Sequence, residues 1–213
     1  MTKSKNSYSN REEIINVITH GLGAILSVVA LVFLIQKAIK MDTPIAMFSL
    51  LVYGISMIIL YTASTLYHGS TNPKYRNPLN VWDHISIYLL IAGSYTPFTL
   101  LALPPVWGYT IFIIVWIFAF VGITIKLFFF GKYRVLSAMA YVIMGWIAVT
   151  AVSPLIDSLT LTGALWLFGG GISYTIGAVL YLFDDKIPYN HAIFHVLVLI
   201  GSGCHFISVY YYV

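Results

Sequence analysis

Seven apolar runs, each about as long as a lipid bilayer is thick, constrain this chain more than any other feature. They cover roughly 14–37, 45–68, 84–103, 106–130, 135–154, 161–183 and 190–212, and a membrane-spanning helix needs about 20 mainly apolar residues. The stretches between them carry breakers: Asp42 to Pro44, Asn72-Pro73 with Asn77-Pro78, Pro104-Pro105, Gly131-Lys132, Ser153-Pro154 to Asp157, and Asp184 to Pro188. Of the 213 residues, 60% are apolar and 8% charged. Soluble domains average about 25% charged residues. So few charges cannot build a water-facing surface, so lipid must cover most of the outside. The sequence therefore predicts an all-α polytopic membrane protein, a single seven-helix domain over 1–213 with residues 1–12 as a short polar N-terminus. No soluble domain, linker or internal repeat interrupts the pattern. The first twelve residues do not read as a cleaved signal peptide, because the apolar run after them is too long and lacks a small-residue cleavage site.

The net charge of +4 is spread over single Lys and Arg residues between apolar runs, which argues against a nucleic-acid partner. The lone cysteine, Cys204, excludes an intrachain disulfide. Counting Lys and Arg by side gives an orientation. Lys3, Lys5, Arg11, Lys74, Arg76, Lys126, Lys132, Arg134 and Lys186 fall on one side, and Lys37 and Lys40 on the other. The expectation is a cytoplasmic N-terminus, an outer C-terminus after seven crossings, and Tyr210, Tyr211 and Tyr212 at the outer interface.

Ionisable side chains inside spans are costly and point to function. Of the six histidines, His68 falls at the cytoplasmic end of the second span, and His191 and His195 fall in the first two turns of the seventh. His191 and His195 are i and i+4, so they share one helical face and can hold one ion between them. His68 could add a third nitrogen, and three nitrogens with one open position is the pattern of a catalytic zinc site. Zinc acidifies water and polarises carbonyls. Asp83, near the same depth, could accept a proton, and Ser64, one turn from His68, could hydrogen-bond a developing oxyanion. A site in the inner leaflet would draw its substrate from lipid, which favours fatty amides or esters.

Each residue also has a plainer use. Asp83 and His84 could cap the third span, Ser64 could bond its own carbonyl one turn back, and His68 could be an interfacial histidine. A bis-histidine haem is a rival use of the same residues, though it needs histidines on two helices and room for the macrocycle. His205 lies roughly 21 Å along the helix from His191 and cannot share its ion. His20, His84 and His205 are expected to be structural.

Three motifs carry a resemblance: Glu13-x-x-Asn16-x-x-Thr19-His20-x-x-Gly23; Ser64-x-x-x-His68 with Asp83 and Gly93-Ser94-Tyr95-Thr96-Pro97; and His191-x-Ile193-Phe194-His195 continuing to His205-Phe206. In order and spacing the chain resembles the progestin and adipoQ receptor family, in its bacterial hemolysin III branch. The resemblance implies seven helices, an inside N-terminus and a zinc ion held by the positions of His68, His191 and His195. It also implies that Asp83 contacts the zinc through water, that Ser64 lies beside it, and that the arrangement is like that of alkaline ceramidases. The chain lacks the long N-terminal region of the receptors, which places a hormone ligand in doubt and favours a bacterial plasma membrane. Three functions follow as expectations: a zinc-dependent hydrolase of membrane lipid amides or esters, a pore-forming cytolysin, or a sensor with structural zinc. The sensor would use Gly93, Pro97, Gly169, Gly170, Gly171 and Gly177 for helix motion or close packing.

Overall fold

Capping side chains and prolines open the first four helices. In the computed structural model, which describes residues 8–132, 134–183 and 187–213, helix α1 (Asn10–Met41) starts at Ser9, whose Oγ accepts from the Glu12 amide. Helix α2 (Pro44–Gly69) starts at Thr43 in the same way, with Pro44 in the first turn. Proline there gives up an amide that has no intrahelical partner anyway. Helix α3 (Pro73–Pro97) is capped by Asn72 and runs on through a π turn at Phe98–Ala102. Helix α4 (Pro105–Phe128) follows Pro104. Then come α5 (Arg134–Gly145), a 3-10 stretch at Trp146–Ala151, α6 (Val152–Leu182) and α7 (Asn190–Tyr212). No strand occurs among the described residues. Lys3, Lys5, Asp184 and Lys186 lie outside them.

Six helices among the described residues are long and apolar enough to cross a membrane. One of the six, the 49-residue stretch Arg134–Leu182, contains two of the apolar runs. Its backbone breaks at Thr160, where φ is 62° and ψ 165°, a conformation that a β-branched residue rarely adopts. The contacts show a reversal there. Arg134 donates to the Tyr181 carbonyl and Trp146 Nε1 to Thr175 Oγ1, pairs that a straight helix of this length would hold tens of ångströms apart. The turn therefore falls at Thr160, not at Ser153-Pro154 to Asp157. Pro154 sits in the first turn of α6, where proline is tolerated.

Helix α3 also differs from the sequence expectation of a start near residue 84. Asn72 and Pro73 open it, and Pro78 lies inside it. Asp83 and His84 are therefore about three turns into the helix, and neither caps it.

The outer surface is apolar, with Ile18, Ile25, Val106, Phe120 and Leu165 among its exposed side chains. An exposed apolar surface of this extent suits lipid contact. Inside, small residues let helices approach. A Cβ at Gly93 would overlap Ser56 of α2, and one at Gly170 would overlap His205 of α7. Gly177 meets Phe194 more loosely, and a Cβ at Gly169 or Gly171 would meet nothing. Packing thus accounts for Gly93, Gly170 and Gly177 but not for the whole glycine run of α6.

Candidate metal centre

Three helix ends meet at one end of the bundle. The last turn of α2 brings His68, the first two turns of α7 bring His191 and His195, and α1 lies against both helices. The three imidazoles are buried, with 5% exposure or less, and offer ligand atoms that all lie within 4.8 Å of one another. His68 Nε2 and His191 Nε2 are 3.2 Å apart. Two nitrogens bound to one small tetrahedral ion through bonds of about 2.0–2.1 Å sit about 3.3 Å apart. The observed spacing fits one edge of such a site, so the three histidines could hold a metal ion.

The second nitrogen of each ring is engaged from outside, which fixes the tautomer of His68. His68 Nδ1 is 2.6 Å from Glu13 Oε2, and a carboxylate only accepts, so Nδ1 carries the proton. Arg76 of α3 donates to the other Glu13 oxygen. His195 Nδ1 is 3.4 Å from Thr19 Oγ1, and that hydroxyl donates to the Ile15 carbonyl, which leaves its lone pairs for the imidazole. His191 Nδ1 is 3.0 Å from the Tyr8 hydroxyl. All three outer partners, Tyr8, Glu13 and Thr19, come from the N-terminal end of the chain. With Nδ1 of His68 and His195 donating outward, their Nε2 lone pairs are free to face a common point. Such outer hydrogen bonds orient ligands and raise their basicity, and losing one typically costs 10–100-fold in metal affinity. Glu13→Ala is therefore expected to weaken metal binding about 10–100-fold, measured by competition with a chelator of known affinity. An unchanged affinity would reduce the Glu13–His68 pair to packing.

His20 is buried and packed, as the sequence suggested. Neither ring nitrogen has a hydrogen-bond partner among the described residues, where the expectation was a hydrogen-bonded ring, and its neighbour was not foreseen. Its ring stacks on that of His195 at 3.5 Å between centroids and 6° between planes, with Tyr61 edge-on at 5.0 Å. His84 is held as a bridge, with Nδ1 2.8 Å from the Asn80 carbonyl and Nε2 3.1 Å from the Tyr181 hydroxyl. His205 donates from Nε2 to the Leu167 carbonyl deep in the bundle.

Beside the histidines lies a cavity of about 250 Å³, whose lining includes Ser64, Asp83, His191 and His195 and also the apolar Phe98, Leu103 and Ile111. Asp83 is not one of the three-nitrogen group. Ser64 behaves unlike other buried serines of these helices. Ser27, Ser49 and Ser56 each donate to a carbonyl one turn back, whereas Ser64 Oγ is buried without a hydrogen-bond partner among the described residues. The self-bonded alternative for Ser64 therefore does not hold. A buried hydroxyl left unpaired costs about 1–3 kcal/mol, which is consistent with a site waiting for a ligand group.

Residues 8–206 match the family described as haemolysin-III related. The chain is 46% identical to Hemolysin-3 of Bacillus cereus over 203 residues, covering 95% of this chain and 92% of the relative. It is 44% identical to the Hemolysin-3 homolog of Bacillus subtilis (strain 168) over 205 residues, covering 96% of each. A more distant similarity, 28% over 167 residues, links it to the human monocyte to macrophage differentiation factor, over 76% of this chain and 68% of that protein. No solved structure matches. With a multi-pass helical architecture, 44–46% identity to two Bacillus relatives over nearly the whole chain and a family match over almost all its residues, this chain belongs to the haemolysin III-related family.

Proposed function

We propose that this protein is a zinc-dependent hydrolase of lipid amides or esters, working inside the membrane. One observation carries the reading: three buried imidazoles, each with Nδ1 held by an outer partner, sit beside a largely apolar cavity and a buried hydroxyl with no partner. Three neutral nitrogen donors suit zinc and leave a fourth position open. A zinc ion held there would supply Lewis acidity toward water and toward a carbonyl oxygen. The chain's own groups do the rest. Asp83, on the cavity wall, takes a proton from the attacking water and later returns it to the leaving amine or alkoxide. Ser64 Oγ–H donates to the carbonyl oxygen as negative charge builds on it. The apolar length of the cavity holds the acyl chain and keeps bulk water away from the bond being cleaved.

In this reading the chain crosses the bacterial plasma membrane seven times, with its N-terminus in the cytoplasm and the site in the inner leaflet. The reversal at Thr160 and the uneven division of Lys and Arg support that topology. The name of the Bacillus cereus relative carries a lytic activity. For this chain we propose lysis only as a consequence of lipid products released by hydrolysis.

Purified protein is expected to carry about one zinc per chain by elemental analysis and to release fatty acid from a lipid amide or ester. A full complement of zinc with no turnover across a broad library of such lipids would sink the hydrolase and leave a structural metal.

A further inference from the structure

Lys126 belongs to the last turns of α4, where sequence alone counts it among the charges that face the cytoplasm. The structure buries it to 5% exposure. It lines the same cavity as the histidines. Its only close partner among the described residues is the face of Phe130, 5.5 Å from Nζ, and no ion pair or hydrogen bond satisfies it. A lysine this far buried on a cavity wall, with no counter-charge within ion-pair distance, is a costly arrangement in a membrane protein.

The neighbours do not relieve it. His84, whose ring meets Phe130 edge-on at 5.2 Å, has both nitrogens engaged by Asn80 and Tyr181. Asp83 lines the cavity but forms no ion pair with Lys126. A second positive charge lines the same cavity: Arg134 lies over the Tyr181 ring at 4.6 Å. That ring is 6.1 Å from His191. Arg134 thus stands about one aromatic ring away from a candidate metal ligand.

We propose that Lys126 forms an anion subsite in this cavity, and that the lipid taken by the protein carries an anionic oxygen head, a carboxylate or a phosphate. The proposal rests on reading the cavity as a lipid site and narrows its substrate class. The head supplies the counter-charge that the fold withholds from Lys126, while the tail lies along the apolar wall towards Leu103. A neutral head would leave the ammonium unpaired.

The test uses the full chain in detergent micelles and three probes with the same 18-carbon monounsaturated tail: oleate, oleyl phosphate and oleyl alcohol. Retention of each is read by native mass spectrometry at equal mole fraction. Oleate and oleyl phosphate are expected to bind about tenfold more tightly than oleyl alcohol, and inorganic phosphate in large excess is expected to displace neither. The preference should fall to within about threefold in Lys126→Met and persist in Lys126→Arg. Equal binding of the alcohol by the unmodified protein would overturn the subsite without any variant. So would a preference that survives in Lys126→Met, which would make the lysine a mere helix-end charge. Displacement of oleyl phosphate by inorganic phosphate would assign the site to the free ion and remove the lipid. The same comparison after chelation separates the two readings. A preference lost with the metal puts the anion on the histidines and refutes the subsite alone. A preference kept in protein that never held metal upholds the subsite and refutes the hydrolase.

Discussion

Joint replacement of His191 and His195 by alanine is expected to reduce bound zinc from about one per chain to below about a tenth, with loss of lipid turnover. The two imidazoles are two of the three buried nitrogens in the group, and His68 alone offers one donor. The effect should reach stability as well. A ligand present at about a thousand times its dissociation constant stabilises the native state by about 4 kcal/mol. Chelation should therefore lower the melting temperature of the unmodified protein and leave that of the double variant where it is. Retention of a full equivalent of zinc by His191→Ala with His195→Ala would show that the ion sits elsewhere.

Asp83→Ala is expected to have the second large effect, and of a different kind. Asp83 lines the cavity without belonging to the three-nitrogen group, so the metal should stay. Loss of a positioned general base typically costs 10²–10⁴-fold in rate, so turnover should fall by about that factor. Elemental analysis and a fatty-acid release assay on the same preparation separate the outcomes. If zinc falls together with activity, Asp83 is a ligand. If neither changes, the proton leaves by another route.

The main lines of the fold were legible because bilayer thickness imposes a length and apolarity that few other environments demand. The metal group was legible for a related reason. His191 and His195 share a face through their spacing, and topology alone brought His68 to the same depth. What the sequence hid depends on lateral placement of helices. Depth along α1 could be counted for His20, but not that α1 would set its ring flat against His195. Glu13 and Thr19 stood in a motif without a role, since their bonds to His68 and His195 require α1 to lie between α2 and α7. Proline misled at α3, where Asn72 and Pro73 begin a helix that Pro78 does not stop. Thr160 gave no signal, because threonine is not a residue that announces a left-handed backbone.

Helix α1 supplies outer partners to the ligands of α2 and α7, and this sets an order of events during synthesis. Helix α1 precedes both in the chain and holds no ligand of the group, yet its Glu13 and Thr19 orient His68 of α2 and His195 of α7. Until α7 has entered the bilayer and docked on α1, only one of the three nitrogens is present. A metal ion held by all three could therefore load only after α7 has docked, and a loaded centre would certify that α1, α2 and α7 have come together.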